Sequence, residues 1–75
     1  MIPVGQKISG LLYSRGISTN QFERDTGIAR RILYPSKYKP RRATLMAIAY
    51  YLDMRVEDLI AGTDAVKDWY GDAGI

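Results

Sequence analysis

Apolar residues recur at helical spacing along most of this chain. Val4, Ile8, Leu11 and Leu12 fall at i, i+4, i+7 and i+8, one stripe of an amphipathic helix. Gly16 follows as a stop, and Arg15 sits favourably near the negative end of the helix dipole, so the spacing predicts a helix over about residues 4–15. In "ISTNQFERDTG" two devices agree on the next start. Ser18 and Gln21 have the spacing of a capping box, and Ile17 and Phe22 that of a hydrophobic staple. Gly27 ends that helix after little more than two turns. Ile28, Ile32 and Leu33 then share a buried face, which leaves Arg30, Arg31 and Tyr34 on other faces. Pro35 disfavours helical geometry at the residue before it, so this second short helix is expected over about 29–34.

"SKYK" reads as a loop closed by Pro40. Helical spacing resumes at Leu45, Ile48, Ala49 and Leu52, and again at Val56, Leu59 and Ile60, where Gly62 stops it. The tail from Thr63 starts another turn capped by Thr63, with Val66, Trp69 and Tyr70 as its apolar side. No stretch shows convincing strand-like alternation. The pattern therefore predicts an all-α fold, a compact bundle of about five short helices, in one small domain.

Composition narrows the function classes. The chain has no cysteine, which excludes a disulfide framework and a cysteine-based zinc site. Histidine is also absent, removing the commonest general acid–base residue and metal ligand. No paired carboxylates stand in the basic region, so an enzyme is the least favoured reading, and no cofactor or small-molecule ligand is implied. The longest apolar run, residues 45–52, falls well short of the ~20 residues that span a bilayer. Pro3, Gly5 and Gln6 interrupt any N-terminal apolar run. These features lead us to expect a soluble cytoplasmic protein without membrane contact.

The net charge of +3 conceals a strong asymmetry. Between Thr26 and Leu52 there is no acid, and Arg30, Arg31, Lys37, Lys39, Arg41 and Arg42 carry all the charge. From Asp53 onward, six acids face only Arg55 and Lys67. A basic block beside an acidic tail makes the molecule electrostatically two-faced.

Charge and pattern meet at one place. Two short helices joined at a glycine, Ser18–Thr26 and Ala29–Tyr34, form the αα unit of a helix-turn-helix. In that motif the first helix crosses the phosphate backbone and the second enters the major groove N-terminus first. Arg30 and Arg31 stand where base edges are read, and an arginine fork on guanine contributes about 1–3 kcal/mol of discrimination. Lys37, Lys39, Arg41 and Arg42 lie beyond the second helix, placed for phosphates, which set register rather than sequence. The hydroxyls of Tyr34 and Tyr38, and the exposed Thr19 and Asn20, are further phosphate candidates. The bland alternative is a solvated basic loop.

From Ile8 to Ile60 the chain resembles the phage-repressor-like (Cro/XRE) helix-turn-helix family. The resemblance is carried by Ile17-Ser18 before Gln21-Phe22, by Gly27-Ile28 and Leu33, by Pro40 with Thr44-Leu45, by Ile48-Ala49 and Leu52, and by Val56 to Ile60. It implies a lambda-repressor-like fold over residues 1–62, with 63–75 as a short tail. It also implies a sequence-specific regulator that occupies an operator on double-stranded DNA as a symmetric homodimer, typical of phages and mobile elements. On that likeness Gln21 would bond a phosphate, Arg30, Arg31 and Tyr34 would face the groove, and Trp69 and Tyr70 would serve self-association. Departures from the pattern are specific. Glu23 stands where a small alanine is usual, Ala29 where Ser or Thr caps the second helix, and Asp53 where a glycine closes a helix. The segment from Gly27 to Pro40 is also about three residues short.

The rival reading is a protein-interaction module on the same fold, an antirepressor or adaptor whose basic face takes an acidic partner. A non-specific architectural or RNA-binding role is weaker, because neither aromatic stacking platforms nor a glycine-rich clamp is visible.

Overall fold

A computed structural model describes residues 1–34 and 40–71. Five α-helices follow one another: α1 Val4–Ser14, α2 Thr19–Thr26, α3 Arg42–Tyr51, α4 Val56–Ile60 and α5 Ala65–Tyr70. Between α2 and α3 lies a four-residue 3-10 turn, Arg30–Leu33. Among the described residues no strand occurs; Ile2 and Thr63 form an isolated parallel bridge.

The apolar stripes converge on one core. Ile8, Phe22, Ile48, Leu59 and Ile60 are completely buried, and Leu12, Ile32, Leu33, Leu45 and Leu52 nearly so. Burial of this kind stabilises by roughly 25 cal/mol per Å² of apolar surface removed from water. Phe22 holds α2 to α3 by meeting Tyr51 edge to face, with ring centroids 5.8 Å apart. The Tyr51 hydroxyl donates to Asp25 Oδ2 at 2.7 Å. That bond first, then desolvation and the Asp25 charge, push the tyrosine pKa above its ordinary value.

The helix ends are closed by local chemistry. After α1 the Gly16 N–H donates to Tyr13 O and the Ile17 N–H to Leu12 O, a Schellman pair that requires the left-handed φ of 70° at Gly16. At the start of α2 the Ser18 hydroxyl accepts the Gln21 N–H at 3.0 Å, as its spacing predicts. The start of α1 is satisfied from far along the chain: Val4 N–H donates to Asp64 Oδ1 at 3.0 Å. In the other direction, Lys7 Nζ donates to the carbonyls of Asp58 at 2.6 Å and Ala61 at 2.8 Å, covering carbonyls at the end of α4. The chain start is thus locked to residues 58–64.

Asp53 shows what the unusual residue at that position does. It takes φ 55°, in the left-handed region. Around it Asp53 N–H donates to Tyr50 O and Met54 N–H to Ala49 O, the same closure that glycine provides after α1. A non-glycine residue there is strained, less so for aspartate than for most. Asp53→Gly is expected to stabilise the domain by about 0.5 kcal/mol, raising Tm by ~2–4 °C in a thermal melt. An unchanged or lowered Tm would show that the aspartate relieves its own strain.

The tail is integrated with the core. Thr63 is fully buried; its hydroxyl donates to Ile60 O at 2.6 Å and accepts the Ala65 N–H at 3.1 Å, one residue before the N-cap of α5, which is Asp64 and makes no side-chain cap bond. Val66 and Trp69 pack against the core, whereas Tyr70 is half exposed. No helix among the described residues is long and apolar enough to cross a membrane.

Candidate nucleic-acid interface

The second element of the motif differs from the α-helix expected over 29–34. It is a single 3-10 turn, with Ala29 extended at φ −60° and ψ 131° and Tyr34 extended at ψ 144°. Tyr34 is held extended because it precedes a proline, whose ring clashes with a helical neighbour. Only four residues remain between these limits. At ~2.0 Å rise per residue the turn is roughly 8 Å long, shorter than the ~12 Å width of a major groove. Its readable surface is accordingly narrow.

Within the turn Ile32 and Leu33 are buried and anchor it, while Arg30, Arg31 and Tyr34 remain exposed. Tyr34 follows the turn and its N–H donates to Arg31 O at 3.3 Å. Tyr34 borders an open groove of about 460 Å³ with Gln6, Ser9, Tyr13 and Leu33, on the α1 side of the turn. Arg30 lies on the α2 side, where its Nη1 donates to Asn20 Oδ1. The base-reading candidates therefore spread across both flanks.

The connection from α2 explains how a turn this short keeps its shape. Gly27 ends α2 in the left-handed region at φ 74°, where a side chain would be strained. Thr26 Oγ1 donates to Phe22 O at 2.7 Å and accepts the Ile28 N–H at 3.1 Å, fixing the bend. Ala29 has no side chain with which to cap the turn. Glu23 supplies the missing acceptor: its Oε2 takes the Arg30 N–H at 3.2 Å. The glutamate and alanine that stand out against the family pattern are therefore one arrangement, with the cap moved from position 29 to the preceding helix. Glu23→Ala is expected to lower stability by about 1 kcal/mol, as loss of a cap does. Ala29→Ser in that background should restore part of it, and denaturant unfolding of both variants measures the difference.

The described phosphate candidates lie on α2 and at the start of α3. Thr19 is half-buried, while Asn20 and Gln21 are exposed at the start of α2. The reciprocal arm of the capping box, from Gln21 back to the Ser18 N–H, is not formed among the described residues. Arg41 and Arg42 begin α3 and are exposed; α3 has no side-chain cap and no acid in its first turn. Arg42 also stacks on Trp69, its Cζ 3.9 Å from the ring centroid, and its Nη1 donates to Trp69 O at 2.7 Å. Lys37, Tyr38 and Lys39 lie outside the described residues. Trp69, a self-association candidate, is half-buried against its own core, and Tyr70 faces outward.

Three features escaped the sequence reading. Glu23 is seven residues from the amide it caps, and Trp69 is 27 residues from Arg42, so local patterns reveal neither. Gly5 had a signal: it is a glycine beside Val4, within the apolar side of a helix. It is buried where α1 crosses the reading turn, against the Ile32 carbonyl.

A family model described as Cro/C1-type HTH DNA-binding domain matches residues 7–64. No curated protein and no solved structure matches the chain.

Proposed function

The chain belongs to the Cro/C1-type helix-turn-helix DNA-binding family, and we propose that it is a sequence-specific transcriptional regulator acting by operator occupancy. The observation that carries this reading is the reading turn itself. Arg30 is tethered to Asn20 at the start of α2, and Arg31 and Tyr34 are exposed at the same turn, Tyr34 on its α1 side. Gln21 on α2 and Arg41 and Arg42 at the start of α3 are the phosphate ligands in this reading. The start of α3 supports this, since uncapped N–H groups and two arginines converge there and a phosphate relieves their mutual repulsion. Lys37, Tyr38 and Lys39 extend the same grip in our reading, and Thr19 and Asn20 supply side-chain donors at the start of α2.

The narrow reading surface of a monomer favours a homodimer on a two-fold symmetric site, with Tyr70 and the residues around Trp69 at the self-contact and 63–75 as the tail that provides it. We place the protein in the cytoplasm, as a repressor or Cro-like regulator of a phage or mobile element. It acts by binding alone, with no catalysis, cofactor or small-molecule ligand.

The shortness of the 3-10 turn favours one alternative, a protein-interaction module whose basic face takes an acidic partner. Selection from a random duplex pool, followed by salt titration of the enriched sequences, separates the two. Enrichment of a two-fold symmetric site supports the regulator. Salt-steep binding without enrichment reduces Arg30 and Arg31 to phosphate contacts. Indifference to duplex DNA even at low salt supports the protein-binding alternative.

A further inference from the structure

We propose that Trp69, from α5, is a positioning residue for the phosphate contact of Arg42, which makes the C-terminal helix a functional part of the DNA-gripping surface. This inference rests on the DNA-binding reading above and assigns a role within it to a residue outside the motif.

Arg42 is the first residue of α3 and is exposed, yet two contacts restrain its side chain. The guanidinium lies over the Trp69 ring at 3.9 Å from the centroid, and Nη1 donates to the Trp69 carbonyl at 2.7 Å. Trp69 is itself held. Ala65 at the start of α5 is buried and its N–H donates to the hydroxyl of the fully buried Thr63, and Val66 and Trp69 pack against the core. The aromatic platform is therefore fixed relative to α3.

An exposed arginine samples many rotamers, and part of that freedom is lost whenever it grips a phosphate. Trp69 removes much of that freedom beforehand. The stack does so without spending donors, because the ring takes the guanidinium face while the five N–H groups lie in its plane. Only one of the five goes to the Trp69 carbonyl. A cation–π contact at an exposed site shifts the side chain's populations about two- to fivefold, enough to bias it and too little to sequester it from a phosphate.

The test is the affinity of the full chain for a labelled mixed-sequence duplex at low salt, by fluorescence anisotropy, with thermal melts to verify folding. Trp69→Leu keeps apolar bulk and removes the ring; it should weaken binding about two- to fivefold, whereas Trp69→Phe should stay near wild type. Arg42→Gln should weaken binding and flatten the salt slope by about one. The double variant should bind no more weakly than Arg42→Gln alone. Wild-type affinity in a folded Trp69→Leu, or losses that multiply in the double variant, would overturn the proposal. Should Trp69→Leu unfold, the emission of Trp69 decides, since it is the only tryptophan in the chain. Saturating duplex should shift that emission in wild type and not in Arg42→Gln. No shift in a wild type that binds DNA would overturn the inference alone, whereas no binding by wild type would overturn the DNA-binding reading with it.

Discussion

Gly5→Ala is expected to destabilise the protein by about 1–3 kcal/mol and to displace the reading turn, although it introduces the best helix former into a helix. Propensity alone predicts the opposite sign, a gain of about 1 kcal/mol for alanine over glycine in a helix interior. Packing decides against it. A Cβ at position 5 would fall inside contact distance of the Ile32 carbonyl oxygen and press on the Leu33 carbonyl carbon. These are backbone atoms, so no side chain can swing away. The 3-10 turn itself must move, and Arg30 and Arg31 move with it. At ~0.05–0.15 kcal/mol per residue a chain of this size is stable by only about 4–11 kcal/mol, so the loss is a substantial share. Thermal melting should show a Tm lower by ~4–8 °C for each kcal/mol lost. Amide spectra of the folded fraction should change most at residues 30–34. A raised Tm would mean that α1 and the reading turn do not meet at Gly5.

The second large effect concerns binding. Arg30→Ala should weaken the preferred operator by about 1–3 kcal/mol, roughly 5- to 150-fold, and relax preference at one base pair. Two contacts give Arg30 this weight. Its N–H is fixed by Glu23 and its guanidinium is tethered to Asn20, so the side chain is oriented before DNA arrives. Asn20→Ala should therefore weaken the same operator less, because the arginine persists but must be ordered on binding. Affinities for the preferred site and for each single-base variant test this directly. Uniform weakening on all of them, with a salt slope flatter by about one, would make Arg30 a phosphate contact.

Much of the framework was legible in the sequence, for physical reasons that differ by element. The start of α2 was readable because Ser18 and Phe22 act within one helical turn, and α1 and α3 because their stripes leave one face that must be buried. The integration of the tail was partly readable, since Thr63 marked the start of the last helix and Val66 an apolar face. The reading element was harder. Over six residues, helical periodicity cannot separate an α-turn from a 3-10 turn. Pro35 limits it at one end, and the extended Ala29, which has no side chain to cap the turn, precedes it at the other. Glu23 replaces that cap from across the turn, a role that exists only once Gly27 has folded the chain back. Asp53 is the converse case: the departure from glycine was visible, and the left-handed backbone it tolerates was not. Arg42 was legible as a cation beside the motif. Its partnership with Trp69 depends on α4 and α5 returning the chain to the start of α3.

The central claim is that one face, built from the start of α2, the reading turn and the start of α3, meets duplex DNA. Chemical-shift mapping of the labelled protein, titrated with the duplex enriched by selection or with a mixed-sequence duplex at low salt, tests it most directly. The account predicts that the largest changes fall at Asn20, Gln21, Arg30, Arg31, Tyr34, Arg41 and Arg42, while the exposed face of α4 around Glu57 stays unchanged. Perturbations centred away from the reading turn, or none at saturating duplex, would contradict it.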